Sequence, residues 1–185
     1  ANLSNNMGNL LYEQGAFDRS VPYYRLADTV LTTLGYYTYA AATRMNLANA
    51  EDELGRSAVA LELLKSAIAI MPVGEDENTR ANMLADLGRL HGKVGSSDSA
   101  LLHMREGLSL ARLVQASDVQ ANAHEFLSEW FEQHGKLDSA LFHFKSATAL
   151  HDTMLSAERS AQIAEMQEKY ESGKKDAVIT RNEAQ

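Results

Sequence analysis

Glycine recurs every 40 residues along this chain of 185 residues, at Gly15, Gly55, Gly95 and Gly135. The residues around each glycine repeat as well. A large apolar residue and then a small one stand eight and seven positions before it, and small, large and small residues stand five, nine and twelve positions after it. A fixed period of this size is typical of a repeat array, which buries its core between neighbouring repeats instead of around one centre. The period therefore favours a surface that holds other molecules over an enclosed active site.

Each repeat is predicted to form two helices, A and B, joined at its glycine. Small residues let two helices approach closely, and a glycine suits the left-handed residue that ends a helix. Gly35 and Gly74 mark turns between repeats, and four polar residues are placed as N-caps or first-turn residues of the B helices: Asp18, Ser57, Asp98 and Asp138. The predicted helices are 3–13, 18–34, 39–54, 57–71, 77–94, 97–114, 117–134 and 137–153.

The predicted fold class is all-α, with the repeats in residues 1–152 and a further helix in residues 153–185. The repeats occupy about 1–36, 37–76, 77–116 and 117–152. Beyond Leu155 the period stops, and Lys175 stands where a fifth glycine would be. A short apolar seam at Ile163, Met166 and Tyr170 has the spacing of a helix that packs on one neighbour. This helix either caps the array or begins a coiled-coil stalk that continues beyond the chain.

Composition excludes several classes of function. The formal net charge of −8 leaves no basic stripe for nucleic acid, and the chain contains no cysteine for thiol chemistry. No apolar run reaches the roughly 18 residues of a membrane span. The chain begins at Ala1 without methionine, and we interpret it as an excised or processed piece, so the missing targeting signals say little about the parent protein.

The repeat positions resemble the tetratricopeptide repeat (TPR). Repeat one shows the family pattern at Met7-Gly8, Gly15, Phe17, Tyr24 and Ala27, and repeat four shows it at Leu127, Gly135, Ala140, Phe144 and Ala147. The resemblance covers about residues 1–152, and the period of 40 exceeds the usual period of about 34, as in kinesin-light-chain-like members. It implies a right-handed solenoid of four helix pairs followed by a C-terminal helix.

The tail carries a narrower resemblance. Residues 151–155 and the run Ile-Ala-Glu-Met-Gln-Glu-Lys-Tyr-Glu at 163–171 are similar to a segment of TPR-containing membrane regulators of Bacteroidetes-type bacteria. In that family the segment leads into a membrane span and then a histidine kinase or a helix-turn-helix output domain. The resemblance implies a periplasmic sensor region whose only link to a membrane is a span outside this chain. Ser172 and Gly173 depart from the family's charged residues, which puts an unbroken stalk helix in doubt.

Two other classes of function stay open at this stage. The chain could be a cytoplasmic adaptor or scaffold that binds protein partners, or an array that serves mainly to form a homodimer. An apolar run of about 20 residues after Gln185 in the parent protein distinguishes the receptor from the adaptor.

No catalytic, cofactor or metal site is predicted. His103 and His143 occupy equivalent helix B positions and could stack, but two histidines without a carboxylate at ligand spacing are a weak metal signal. The phosphate-binding and nucleophile motifs of common enzymes are absent from the sequence. His151 is interpreted as a surface residue. We therefore expect that the chain itself is not an enzyme, although its parent could carry a histidine kinase domain.

Asparagines are the candidate binding residues. Helix A lines the concave face of a TPR array, and residues three or four apart share one face of a helix. A carboxamide donates and accepts hydrogen bonds, so it can hold a peptide backbone without reading its sequence, although asparagines also cap turns or tie helices together. The predicted groove for a protein or peptide partner is formed by Asn2, Asn6, Asn9, Asn46, Asn49, Asn82, Asp86, Arg89, Asn122, Glu125 and Glu129.

Aromatic residues are expected at two further places. Trp130 and Phe131 add aromatic surface or core beside the charged half of the groove. Tyr36, Tyr37 and Tyr39 are expected to fill the junction of repeats one and two, with an aromatic dimer patch as the alternative.

Overall fold

The computed structural model describes residues 1–183, with the side chains of residues 1–160, 162 and 164–167. Within this part of the chain there are eight helices and no strands, and the helices pack as four antiparallel pairs in chain order. The helices are α1 (Asn2–Glu13), α2 (Phe17–Thr33), α3 (Tyr37–Glu53), α4 (Ser57–Ile70), α5 (Glu77–Lys93), α6 (Ser97–Leu113), α7 (Ser117–Gln133) and α8 (Leu137–Glu183). The all-α solenoid is confirmed, and all but the last predicted helix end agree with the structure to within two residues.

The turns within the repeats form as the glycine period predicts. Gly15 has a φ of 71°, and the amides of Gly15 and Ala16 donate to the carbonyls of Tyr12 and Leu11. This pair of bonds is the Schellman ending of a helix, and it recurs at the ends of α2, α3, α5, α6 and α7. Glycine recurs at 40 residues because these positions need a left-handed backbone.

The predicted helix starts are only partly correct. Asp18, Asp98 and Asp138 lie in the first turns of their helices, where a carboxylate favours the positive end of the helix dipole. Ser57 does not cap α4, because its hydroxyl donates to Asp52 Oδ1 at 2.6 Å.

The core lies between neighbouring repeats. Tyr24 of repeat one packs with Leu47 and Ala50 of repeat two, and Met104 of repeat three packs in the same way with Leu127 and Trp130 of repeat four. Each B helix is thus covered by the A helix of the next repeat, as expected for a solenoid.

Helix α8 differs from the prediction that helix B of repeat four ends near residue 153. It continues without a break to Glu183. The contrast with repeat one is at Leu155, which stands where α2 is followed by Gly35 in a left-handed conformation and which continues α8 as an ordinary helical residue. Met166 of the predicted seam is exposed, whereas Ile163 and Tyr170 lie outside the described side chains.

Candidate functional site

The A helices form one face of the solenoid. Helix α1 packs against α3, and α5 packs against α7, whereas the B helices of the described chain do not pack against one another in this way. At these two junctions the A helices are closer together than the B helices, which places the A helices on the inner face of the curve. Two clefts open on this face.

The first cleft, of about 180 Å³, is lined by Asn9, Tyr12, Glu13, Tyr24, Asn46 and Asn49. Asn9 Oδ1 accepts hydrogen bonds from the Tyr24 hydroxyl at 3.0 Å and from Asn46 Nδ2 at 3.3 Å. Burial, and to a smaller extent Tyr12 and Glu13, raises the pKa of Tyr24 to about 12, so its hydroxyl stays a donor at neutral pH. These bonds fix the amide of Asn9.

Asn49 has an unusual position in this cleft. Its Oδ1 is buried and has no hydrogen-bond partner among the described residues, while its side chain opposes the rise in the pKa of Asp86. An unsatisfied buried acceptor costs about 1–3 kcal/mol, and a donor from a bound molecule removes that cost. Asn49 therefore offers an acceptor beside the cleft that a backbone N–H group can satisfy.

The second cleft, of about 190 Å³, is more charged than the first. Its lining residues are Arg89, Gly92, Lys93, Met104, Phe126, Glu129, Trp130 and Gln133. Trp130 Nε1 is buried without a hydrogen-bond acceptor among the described residues. The two clefts together thus present one unsatisfied acceptor and one unsatisfied donor, which are the two groups that a peptide backbone complements.

Arg89 connects the repeats along the inner face. Its Nη1 lies 2.5 Å from Asp52 Oδ2, its Nε lies 3.4 Å from Asp86 Oδ1, and its guanidinium lies 5.7 Å from the centroid of the Phe126 ring. Lys93 Nζ also lies 2.7 Å from Asp52 Oδ2. Arg89 is therefore held by α3, α5 and α7 together.

The pKa values of the two carboxyl groups beside Arg89 shift in opposite directions. Burial alone would raise the pKa of Asp52, but hydrogen bonds from Arg89, Lys93 and Ser57 outweigh it and lower the pKa below its ordinary value. Burial raises the pKa of Asp86, against the opposing charge of Arg89. Asp52 is thus firmly ionised, and Asp86 is the weaker acid.

The structure brings only part of the predicted groove into the two clefts. Asn9, Asn46, Asn49, Arg89 and Glu129 line them, and Asp86 is buried behind Arg89 and Asn49. The other predicted residues line neither cleft: Asn2, Asn6, Asn82, Asn122 and Glu125.

Two of these five residues have identifiable surroundings. Asn2 lines a wider cleft of about 650 Å³ at the start of α1, with Leu3, Leu31 and Leu34 among its other lining residues. Glu125 Oε1 lies 2.9 Å from His151 Nε2, which ties α7 to α8. His151 is exposed, as predicted.

Asp52 and Lys93 line or support the groove but were not predicted. Asp52 meets Arg89 across 37 residues, and Asn9 meets Asn46 across the same separation. Neighbouring A helices are offset by about one turn. Residues that are 37 positions apart, three fewer than the period of 40, therefore meet across the groove. That offset is the sequence signal that would have found the Asp52–Arg89 pair.

The prediction that His103 and His143 stack on each other is wrong. The ring of His103 stacks on His91, with centroids 5.3 Å apart, and His143 Nδ1 lies 2.8 Å from Nδ1 of His124. The B-helix side chain faces the A helix of its own repeat, so two equivalent B positions do not meet. Among the described residues, no group of three or more potential ligands could hold a metal ion.

The tyrosines between repeats one and two do not fill the junction. Tyr36, Tyr37 and Tyr39 are exposed by 56%, 46% and 67%. Tyr36 and Tyr39 border two clefts at the turn between α2 and α3. Junction space is filled by small residues of α3 instead, among them Ala40 and Ala41, which are fully buried.

Comparison with known proteins agrees with this architecture. Residues 1–72 match the tetratricopeptide repeat family. No curated protein matches the chain. Tetratricopeptide repeats are generally protein–protein interaction modules and not enzymes. The match covers the first two helix pairs of this chain, and the later pairs continue the same architecture.

Solved structures support the fold. BtubC (BKLC) from P. vanneervenii is similar with a TM-score of 0.69 and 17% identity over 83% of this chain and 63% of that chain. A putative kinesin light chain from Podosopora anserina with nearly identical TPR-like repeats has a TM-score of 0.66 and 14% identity over 82% and 75% of the two chains. The chain therefore spans less than two thirds of the length of BtubC, and the likeness concerns the fold alone.

In the part of the chain that is described, none of the helices combines the length and the apolar character that crossing a bilayer requires.

Proposed function

We propose that the chain is the extracytoplasmic sensor region of a two-component signalling receptor, which binds an extended segment of a peptide or protein along its inner face. Residues 1–152 are the binding array, and residues 153–185 connect it towards a membrane span outside the chain. The observation that carries the binding proposal is the pair of unsatisfied buried groups, Asn49 Oδ1 and Trp130 Nε1, beside neighbouring clefts of one face.

The array is suited to a backbone more than to a particular side chain. Asn46 and Asn49 offer carboxamides, and their cleft of about 180 Å³ is small. A peptide that adds a donor at Asn49 and an acceptor at Trp130 satisfies both groups without any requirement on its own side chains. The charged second cleft then selects among sequences, because Arg89, Lys93 and Glu129 line it.

Helix α8 supports the proposed signalling route. It belongs to repeat four at Ala140 and Ala147, which are buried, and it continues to Glu183 as one helix. A helix of 47 residues is about 70 Å long, so a small rotation at the array moves its far end considerably. The Glu125–His151 contact joins α7 of the inner face to this helix, so a displacement of α7 on binding is passed to α8.

The groove is tested with a peptide selected by phage display against the whole chain. Asn49→Ala and Trp130→Phe each remove one unsatisfied group, and each should weaken binding of the selected peptide about tenfold, the cost of one buried hydrogen bond. Asn122→Ala is the matched control, because Asn122 is exposed and lines neither cleft. Equal affinity of all four proteins in a calorimetric titration rejects the groove.

The adaptor is the second candidate, favoured by the general role of these repeats as interaction modules. The parent protein distinguishes the two. An apolar run of about 20 residues beyond Gln185 supports the receptor. Alkaline phosphatase fused after Gln185 of the full-length protein is active only if the array is exported, and an inactive, stable fusion supports the adaptor.

A further inference from the structure

The first helix of the array exposes apolar side chains at positions that are buried in every other repeat. Leu3, Met7 and Leu10 are exposed by 81%, 38% and 48%. We call them the N-terminal face. Their equivalents in repeats two to four are exposed by 9% or less: Thr43, Leu47, Ala50, Met83, Leu87, Leu90, Ala123, Leu127 and Trp130.

The last B helix shows the same contrast. Leu141 and Phe144 of α8 are exposed by 52% and 60%, and we call them the C-terminal face. The equivalents of Phe144 are exposed by at most 3%: Tyr24, Leu64 and Met104. Phe144 is therefore a core residue of the repeat that lacks its cover.

Inside the array the two kinds of position meet each other. Tyr24 packs with Leu47 and Ala50, and the equivalent residues of the later repeats pack in the same register. By this register Phe144 fits against Met7 and Leu10. The N-terminal and C-terminal faces are thus complementary surfaces, which the chain has already joined three times within itself.

We propose that a second copy of this chain docks head to tail, with the N-terminal face of one copy on the C-terminal face of the other. The cover for Phe144 does not come from the in-phase segment of its own chain, because α8 is still helical where helix A of a fifth repeat would begin. The contact is heterologous, so copies add in one direction and form chains of increasing length.

The polar positions of the junction are compatible with this docking. Between repeats one and two, Arg44 Nε lies 2.8 Å from Asp28 Oδ1. The same two positions hold Ser4 and Thr148 in the proposed junction. Both are neutral hydroxyl residues, so docking buries no unpaired charge there.

Charge substitutions on each face test the docking direction. The whole chain should gain mass with concentration in sedimentation velocity, and Met7→Asp and Phe144→Asp should each lose this self-association. An equimolar mixture of the two variants should form a dimer and nothing larger, because Met7→Asp keeps a working C-terminal face and Phe144→Asp keeps a working N-terminal face. Both side chains are exposed, so thermal unfolding of each variant should match that of the unmodified chain at a concentration where that chain is monomeric.

Leu102→Asp is the matched control. Leu102 is 54% exposed, and its equivalents Pro22, Glu62 and Phe142 are exposed as well, so the position never joins repeats. This variant should associate like the unmodified chain. A chain that stays monomeric at every concentration overturns the proposal. So does a Met7→Asp protein that still dimerises by itself, because two C-terminal faces would then pair about a two-fold axis.

Discussion

The guanidinium of Arg89 on α5 lies 2.5 Å from the carboxylate of Asp52 on α3, whose side chain is only 2% exposed. The pair joins two repeats beneath the inner face. Lys93 also reaches Asp52, but its side chain is 49% exposed, so Arg89 supplies the better-shielded partner.

Replacement of Arg89 should destabilise the array strongly. Arg89→Met leaves the buried carboxylates of Asp52 and Asp86 with less positive charge beside them. Breaking a buried ion pair costs about 3–5 kcal/mol. Urea unfolding monitored by circular dichroism measures the loss. Arg105→Met is the control, since Arg105 is exposed and makes no ion pair among the described residues. If both variants lose the same small amount, Arg89 does not tie the repeats together.

Gln115 should be replaceable by glycine with a gain in stability. It ends α6 with a φ of 57°, where the other left-handed turns of the array have glycine. A side chain in this region costs roughly 1–2 kcal/mol, of which the greater freedom of unfolded glycine cancels part. Gln115→Gly should therefore raise the free energy of unfolding by about 0.5–1 kcal/mol. Gly95→Ala, at a φ of 83° with open space around its Cβ, should lower it; the same sign for both changes would contradict the argument.

The positions of the helices could be predicted from the sequence, but the contacts between helices of neighbouring repeats could not. The period locates Gly15 and Gly135 at helix ends because a left-handed backbone is a local requirement, which one residue type satisfies. Phe144 shows the limit of this reasoning, since it matches the core position of the repeat and yet is 60% exposed. Burial of a repeat residue depends on the next repeat, and the pattern of one repeat does not contain that information.

The sequence allowed us to predict which residues lie on the inner face, but not which of them form ion pairs with each other. Asn9, Asn46 and Asn49 line one cleft because equivalent positions of neighbouring A helices are adjacent. The Asp52–Arg89 pair depends on the displacement of one A helix relative to the next, which side-chain packing sets. The predicted stacking of His103 on His143 is wrong for a related reason. Each of these side chains faces the A helix of its own repeat, at His91 and His124 respectively.

Two glycines of α5 should respond to alanine in opposite directions. A Cβ on Gly88 would lie 2.6 Å from the backbone nitrogen of Met104 and 2.8 Å from the carbonyl oxygen of Ala100, so α5 and α6 must separate. Gly88→Ala should cost about 1–3 kcal/mol as an overpacked contact. Gly92→Ala is the matched control, because its nearest neighbour is 3.8 Å away and alanine favours a helix by about 1 kcal/mol. Thermal unfolding distinguishes these outcomes, and a loss of similar size in both variants would contradict the close-packing argument, because the nearest atom to a Cβ at Gly92 is 3.8 Å away.

Acid should destabilise the packing of α7 on α8 through His124, which is 3% exposed. Arg112 Nη2 lies 3.3 Å from His124 Nε2, and a guanidinium only donates, so Nε2 accepts and Nδ1–H donates to His143 Nδ1 at 2.8 Å. Burial, and then His143 and Arg112, lowers the pKa of His124 to about 4. Unfolded histidine binds its proton below about 6.5, so stability is complete above that pH and falls as the pH drops towards 4, by about 3 kcal/mol.

Urea unfolding between pH 7 and 4 measures this decline, and His124→Gln should flatten it. The titration of the His124 ring by NMR gives a second measurement on the unmodified chain, with an expected midpoint near 4. A midpoint near the ordinary value of 6.5 would mean that the ring takes up its proton in the folded state, and that neither burial nor Arg112 keeps it neutral.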